Sequence, residues 1–279
     1  MAYTAEISRA NPSCFVFVID QSGSMSDPFG GSDNPTSKAD ALATAINRLL
    51  SELVLKCSKN MEVRRYFQVG VIGYGASVGP VLGGSLIGRE LVWIDEVYNN
   101  PLRVEERIKQ VSDGAGGLVE TTVKFPVWFD ATARDGTPMT HAFSQVLSML
   151  QSWITQYPAS FPPVVTHITD GESTDGDPSE VANAVRALAT TDGNVLLLNL
   201  HLSSTRAPSV QFPDSELGLP DQYARMLFQI SSVLPESMRT AAHDQGYGVS
   251  ENSRGFVFNA GIEDTIRFLT IGTQASNLR

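Results

Sequence analysis

The sequence has few cysteines, few basic residues and no long apolar run, and each shortage excludes a class of protein. Its two cysteines, Cys14 and Cys57, fall in a predicted strand and a predicted helix, which favours reduced core thiols over a disulfide. The 20 Lys and Arg against 30 Asp and Glu give a net charge of −10, which argues against a nucleic-acid surface. No apolar run approaches the roughly 18 residues of a membrane span, and Met1 to Pro12 lack the apolar core of a signal peptide. We therefore expect a cytoplasmic protein.

Short apolar segments alternate with helical patterns along the chain. The run Cys14–Ile19 has almost no polar alternation, as is typical of a strand buried on both faces of a parallel sheet. Four similar runs follow, at 67–72, 164–168, 195–202 and 255–258. Helices are predicted from Ser37 onwards and at 103–111, 139–155, 177–188, 221–244 with a break near Pro235, and 262–269.

This alternation predicts a doubly wound α/β fold with a mostly parallel sheet and helices on both faces. Shorter strands are predicted at 79–84 and 90–94, the first of them antiparallel at an edge of the sheet. No repeat or linker divides the chain, so we interpret residues 1–279 as one domain.

Three oxygen-rich elements follow strands or precede a helix. The first predicted strand ends in Asp20-Gln21-Ser22-Gly23-Ser24, which presents one carboxylate and two hydroxyls at alternate positions. A later strand ends in Thr169-Asp170-Gly171, and Thr137 follows Asp-Gly just before a helix. Ligands gather outside the carboxyl ends of strands in open α/β sheets. Oxygen ligands suit Mg²⁺, Mn²⁺ or Ca²⁺ better than zinc.

Together these elements resemble the metal-ion-dependent adhesion site of the von Willebrand factor A (VWA) family, over roughly residues 13–269. The resemblance implies a Rossmann-like, mostly parallel sheet with one antiparallel edge strand. It also implies that the metal is held by Ser22, Ser24 and Thr137 as direct hydroxyl ligands, with Asp20 and Asp170 often acting through water. One coordination position then remains for water or a partner's carboxylate. Stand-alone, unsecreted bacterial relatives are often associated with Ser/Thr kinases, phosphatases or AAA-type ATPases.

The threonine assignment leaves alternatives. The stretch between the first motif and Thr137 is longer than a compact member of the family needs, which predicts an insertion at about 77–135. Other threonines in or near that stretch are therefore candidates: Thr121, Thr122, Thr132 and Thr140.

The predicted function is a metal-dependent protein-binding module, not an enzyme, whose metal accepts an Asp or Glu from a partner. Loops at 26–36, 130–138, 171–177 and 203–220 are expected to surround it. The alternative is a metal-dependent hydrolase or phosphatase of the haloacid dehalogenase type, which needs a second acid two residues after the first. Ser22 stands at that position, and no G-x-S-x-G elbow is present. The four histidines show no metal-ligand spacing and are interpreted as structural, and Asp175 and Asp177 as turn and cap residues.

Overall fold

The computed structural model describes residues 2–29, 36–60, 62–112, 117–203 and 207–274. The α-helices within these residues are α1 Lys38–Cys57, α2 Ile94–Asn99, α3 Met139–Gln156, α4 Ser179–Ala187, α5 Gln222–Ile230, α6 Glu236–Asp244 and α7 Ile262–Gly272. The strands are β1 Ser13–Asp20, β2 Ser58–Lys59, β3 Glu62–Val63, β4 Phe67–Tyr74, β5 Val78–Pro80, β6 Val92–Trp93, β7 Arg103–Ser112, β8 Leu118–Val127, β9 Val164–Thr169, β10 Ala189–Thr190, β11 Gly193–Asn194, β12 Leu196–Leu202, β13 Val210–Gln211 and β14 Phe256–Ala260.

The central sheet has the order β13-β14-β12-β9-β1-β4-β5, with β6 also paired to β4. Strand β1 runs parallel to β4 and β9, and β12 runs parallel to β9 and β14. At one edge β5 is antiparallel to β4, and at the other edge β13 is antiparallel to β14. The predicted doubly wound, mostly parallel sheet with an antiparallel edge strand is therefore confirmed.

Strand β1 lies at the centre of this sheet, and all eight of its residues are buried. Phe15, Phe17 and Ile19 pack on the face covered by α1, α6 and α7. Val16 and Val18 pack on the opposite face, under α3, α4 and α5. Because both faces are covered by helices, the strand is apolar throughout, as its sequence predicted.

Helix α1 leads away from the end of β1 and starts as predicted. The Ser37 hydroxyl accepts a hydrogen bond from the Asp40 N–H at 3.0 Å, which caps the helix. Its buried residues include Leu42, Ile46 and Leu49, which form one face of the helix against the sheet. The start of α1 is thereby fixed beside the carboxyl end of β1.

The helix predicted at 103–111 is wrong. Residues Arg103–Ser112 form strand β7, which pairs over ten residues with β8 in an antiparallel ribbon separate from the central sheet. Val104, Ile108 and Val111 stand at i, i+4 and i+7, a spacing that suits a helix. Here β-branched residues and a partner strand prevail over that spacing. Inside the predicted insertion, the structure thus has the antiparallel edge strand near 79–84, as β5, and a strand in place of this helix.

A buried polar network crosses the sheet below the end of β1. The Tyr74 hydroxyl lies 2.7 Å from His167 Nε2, and His167 Nδ1 lies 2.8 Å from Asn199 Oδ1. Asn199 donates to the Ser231 hydroxyl, which fixes its amide orientation. His167 therefore carries its proton on Nδ1, and its Nε2 accepts a hydrogen bond from the Tyr74 hydroxyl. Burial lowers the pKa of His167 to about 4, so it is a neutral structural residue.

Among the described residues, no helix combines the length and apolar character needed to cross a membrane. Both cysteines are free and buried, Cys14 in β1 and Cys57 at the end of α1. Burial raises the pKa of both thiols, that of Cys57 to about 12. They are therefore unreactive core residues, as expected from the sequence.

Candidate metal centre

The candidate site lies where the strand order of the sheet reverses. The chain passes from β1 through α1 to β4 on one side of β1, and later enters β9 on its other side. The carboxyl ends of β1 and β9 therefore border the crevice in which open α/β sheets bind ligands. Asp20 ends β1, and Asp170 directly follows β9.

The turn after β1 is organised by the Asp20 carboxylate, whose residue is 1% exposed. One of its oxygens accepts the Ser22 N–H at 2.8 Å, and the other accepts the Thr169 hydroxyl at 2.8 Å. The chain then makes a short 3₁₀ turn, Gly23–Ser26, whose Met25 side chain is buried in the core. The carboxylate is thus held by its own turn and by the neighbouring strand.

The two serine hydroxyls connect this turn to Asp170. Ser22 Oγ lies 3.1 Å from Ser24 Oγ, and Ser24 Oγ donates to Asp170 Oδ1 at 2.7 Å. Ser22 is buried, whereas Ser24 is exposed. Four of the five predicted site residues therefore meet in one continuous hydrogen-bonded group that opens to solvent on the Ser24 side.

The loop that carries Thr137 lies against the turn after β1 through backbone contacts. Gly23 N donates to Asp135 O at 2.9 Å, and Arg134 N donates to Gln21 O at 2.6 Å, so the loop before α3 lies against the turn after β1. Asp135 takes a left-handed backbone conformation, with φ at 62°. Aspartate tolerates this conformation better than most residues. Thr137 itself is buried, with 6% of its surface exposed.

Of the alternative threonines, Thr121 and Thr122 lie in the β7–β8 ribbon, paired with Lys109 and Ile108. Thr132 is exposed. Thr140 lies in the first turn of α3, where its N–H donates to Asp175 Oδ1. Thr132 and Thr137 flank Arg134 and Asp135, whose backbone contacts the turn after β1, and of these two threonines only Thr137 is buried.

The loop after β9 contains two residues whose roles the sequence did not show. The Thr174 hydroxyl accepts the Thr137 N–H at 2.9 Å, and Thr174 N donates to Thr137 O at 3.0 Å. Asp175 accepts the N–H groups of Thr140 and His141 and so caps α3 from another loop. Asp175 also accepts the Ser173 hydroxyl at 2.8 Å, a local turn contact as expected, and Asp177 accepts the Ser179 N–H at the start of α4.

A buried lysine, not identified from the sequence, completes the site. Lys38 Nζ lies 2.5 Å from Asp170 Oδ2, and the two side chains are 2% and 0% exposed. Lys38 is the first residue of α1, directly after the Ser37 cap. A cation at a helix N-terminus is electrostatically unfavourable, so a lysine at that position was the signal available in the sequence.

Burial dominates the protonation of Asp20. It raises the pKa of the Asp20 carboxyl to about 6, against hydrogen bonds from Ser22 and Thr169 that lower it. The neighbouring Asp170 charge raises it further. Burial likewise raises the pKa of the Tyr74 and Tyr223 hydroxyls near the site, which therefore stay protonated. A divalent cation beside Asp20 would favour the ionised carboxylate.

The donor set fits a hard divalent cation. It offers two carboxylates and neutral hydroxyls and contains no nitrogen or sulfur, which suits Mg²⁺, Mn²⁺ or Ca²⁺. No group of three or more His, Cys, Asp or Glu side chains within the described ranges could hold a metal ion. A cation here would thus depend on hydroxyl oxygens as well as on Asp20 and Asp170.

No protein-family model matches the chain, and no curated protein matches it. Among solved structures, it is similar to the manganese-loaded TRAP protein of Plasmodium vivax, at 13% identity over 96% of this chain and 76% of that one, with a TM-score of 0.43. It is also similar to the vWF domain of the type V pili tip protein Mfa5 from Porphyromonas gingivalis, at 10% identity over 59% and 39%, with a TM-score of 0.33. The chain spans 20% of a three-domain structure of that pilus protein. These likenesses concern the fold alone, and the site is defined by the chain's own sheet order and contacts.

Proposed function

We propose that this chain is a VWA-type module that binds a protein partner through a divalent cation. Asp20, Ser22, Ser24, Thr137 and Asp170 hold the cation, Mg²⁺ or alternatively Mn²⁺ or Ca²⁺, and the cation accepts an Asp or Glu side chain of the partner. The observation that supports this most is the hydrogen-bonded group from Asp20 through Ser22 and Ser24 to Asp170 at the switch point of the sheet. These side chains bring two carboxylates and two hydroxyls from separate loops together at one edge of the sheet.

The chemistry of the donors favours binding over hydrolysis. Neutral hydroxyls withdraw little of the cation's charge, so a carboxylate from a partner would form a strong charge-assisted contact with it. A hydrolase of the haloacid dehalogenase type needs an acid at position 22, where the buried serine instead bonds to Ser24. Partners of the kinase, phosphatase or AAA-type ATPase classes, a cytoplasmic location, and one domain over 1–279 with an insertion at about 77–135 are parts of this proposal.

The surroundings of the site offer room for the flanks of a partner. A cleft of about 460 Å³ lies beside it, between the loop after β9 and α5. Its lining includes Glu172, Asp177, Tyr223 and Arg225. The Tyr223 hydroxyl also donates to Thr169 Oγ1 at 3.4 Å, so one wall of the cleft contacts the residue that bonds to Asp20. A partner would place its acid on the cation and its neighbouring residues in this cleft.

Titration with Mn²⁺ tests the metal part of the proposal. We expect saturable binding, seen in the electron paramagnetic resonance signal of free Mn²⁺, and a rise in melting temperature with Mg²⁺ or Mn²⁺ that EDTA reverses. The variants Asp20→Ala, Ser22→Ala and Thr137→Ala should each lose most of the Mn²⁺ binding and of the rise in melting temperature. Asp244→Ala removes an exposed acid far along the chain in α6 and serves as the matched control. Mn²⁺ binding that survives Asp20→Ala would refute the site.

Two further measurements separate binding from catalysis. Acetate, as the simplest stand-in for an Asp or Glu side chain, should displace water from bound Mn²⁺ and change water proton relaxation, whereas acetamide should not. A phosphate ester such as p-nitrophenyl phosphate should not be turned over. Turnover that disappears in Asp20→Asn would establish the hydrolase alternative instead.

A further inference from the structure

The buried pair of Lys38 and Asp170 is the least expected feature of the site. Its two charged groups are removed from water almost completely, and Lys38 stands at the start of α1, where the helix dipole also opposes a cation. Taking both charges out of water has a large desolvation cost before their attraction compensates. A pair of this kind contributes little net stability, because replacing both partners by apolar residues is often neutral, whereas removing only one leaves a buried charge uncompensated.

The geometry divides the two oxygens of Asp170 between two tasks. Oδ2 is held by Lys38 Nζ, and Oδ1 accepts the Ser24 hydroxyl and thus faces the donor group. Lys38 therefore holds the Asp170 carboxylate through Oδ2, and Oδ1 faces the donor group. The Asp170 carboxylate thus separates the Lys38 ammonium from the donor group.

The charge balance of the site follows from this arrangement. Asp20 and Asp170 contribute two negative charges and Lys38 one positive charge, so the protein supplies a net charge of −1. A bound divalent cation would leave a net charge of +1, and one carboxylate from a partner would neutralise it. Without Lys38, the cation alone would already neutralise the site.

We propose that Lys38 is an internal counter-charge that weakens binding of the cation alone and couples it to binding of an acidic ligand. This inference rests on the proposed function. The lysine repels the cation, so the site binds the cation alone more weakly than it binds the cation together with an anion. Because such coupling is reciprocal, an acidic ligand that tightens cation binding must itself bind more tightly when the cation is present. The module would then bind its metal firmly only together with an acidic partner.

Variants at position 38 test this with Mn²⁺ alone, at one pH near neutrality. Lys38→Gln removes the charge and keeps a hydrogen-bond donor, Lys38→Met removes both, and Lys38→Arg keeps the charge. Lys56→Gln, which removes an exposed charge from the far end of the same helix, controls for the change in net charge. Charges within a few ångströms change proton affinity by about ten- to a thousandfold. We expect Lys38→Gln and Lys38→Met to bind Mn²⁺ at least about tenfold more tightly than wild type.

The acidic probe supplies the second readout. Acetate should tighten Mn²⁺ binding in wild type and Lys38→Arg but much less in Lys38→Gln, and acetamide should do so in none. Unchanged or weaker Mn²⁺ binding in both Lys38→Gln and Lys38→Met, while wild type still binds through Asp20, would overturn this inference and leave the proposed function standing. No Mn²⁺ binding in wild type or in any variant would overturn both. If one neutral variant fails to fold, the other decides the outcome, and circular dichroism identifies which one is folded.

Discussion

Strand β1 is apolar along almost its whole length, whereas the β7–β8 ribbon mixes β-branched residues with many charged ones, and the two stand in opposite environments. Every residue of β1 is buried between two layers of helices. In the ribbon, Val104 is 52% and Ile108 71% exposed, and among the described residues the ribbon makes no strand pairing with the central sheet. A continuous apolar run predicted the buried strand β1 correctly, whereas the helical spacing of apolar residues gave a wrong prediction in β7, where Val104 and Ile108 are exposed.

The largest difference between the two regions should appear in stability. Phe17→Ala empties a core position that is 1% exposed, and we expect a loss of about 3–5 kcal/mol in the free energy of unfolding. Ile108→Ala removes an exposed side chain of the ribbon and should cost under about 1 kcal/mol. Urea denaturation of both variants measures the contrast. Equal losses would show that the ribbon packs against something in solution.

A pair of glycines tests how tightly the site loops pack against the sheet. A Cβ at Gly75, just after β4, would lie 2.6 Å from Gln21 O and 2.9 Å from Arg134 O, both backbone atoms of the site loops. Gly75→Ala should therefore cost about 1–3 kcal/mol, as overpacking does, and should weaken Mn²⁺ binding by displacing the turn after β1. Gly79→Ala, in the edge strand β5, meets nothing within 4 Å and is the matched control.

If Gly75→Ala retained full stability and full Mn²⁺ binding, the loops before α3 and after β1 would have to be movable relative to the sheet. The hydrogen bond from Arg134 N to Gln21 O, at 2.6 Å, would then contribute little to the geometry of the site. Thermal unfolding and Mn²⁺ titration on the same preparations distinguish a loss of fold from a loss of site.

Site residues that lie close together in the sequence could be predicted, whereas partners that lie far apart in the sequence could not. Asp20, Ser22 and Ser24 form one short turn, so their joint role as oxygen donors could be predicted from the sequence alone. Asp170 could be predicted as a site residue because it directly follows a strand. The partnership of Lys38 with Asp170 spans 132 positions, and that of Thr174 with Thr137 spans 37. Such pairs follow from the order of strands in the sheet, which the local pattern does not fix.

The fold shows the same limit. Buried strands and capped helices were predicted because each carries its own signal, as with Ser37 at the start of α1. The ribbon was not, because its second strand supplies the pairing that makes the first a strand. Its base is anchored by Asn47 of α1, which bonds to the backbone of Trp128 and Phe129, a contact over more than 80 positions.

The next prediction concerns the pH dependence of Mn²⁺ affinity, which arises from the buried carboxyl of Asp20. The pKa of Asp20 is raised to about 6 by burial, and a cation must displace its proton. Mn²⁺ affinity should therefore be constant above pH 6 and fall by about tenfold per pH unit below it. A series of Mn²⁺ titrations measures this. Affinity that stays flat down to pH 5 would show that burial does not raise the pKa of Asp20 to about 6.

The same raised pKa has a consequence for the metal-free fold, with the opposite sign. A carboxyl whose pKa is higher in the folded state stabilises the fold below its unfolded value of 3.8, and that contribution is lost as the pH rises through about 6. His167, whose pKa is lowered to about 4, acts the other way, so its contribution is lost as the pH falls. Comparing wild type with Asp20→Asn across pH 4 to 7 isolates the carboxyl. Wild type should lose stability relative to Asp20→Asn as the pH rises, and added Mn²⁺ should reverse that loss.

The smallest effect is expected on the face of the ribbon that Arg107 covers. Its guanidinium lies 3.5 Å from the centre of the Phe125 ring and bonds to Glu105, in place of a buried core. Cation–π contacts at exposed sites contribute about 0.5–1 kcal/mol, and exposed ion pairs no more than that. Arg107→Ala should thus lower the free energy of unfolding by at most about 1 kcal/mol and leave Mn²⁺ affinity unchanged, because the ribbon lies outside the central sheet that carries the site. Arg107→Lys keeps the charge but not the planar stacking group, so it should recover only part of that loss. A loss comparable to that of Phe17→Ala, or any change in Mn²⁺ affinity, would mean that the ribbon and the site form one cooperative unit.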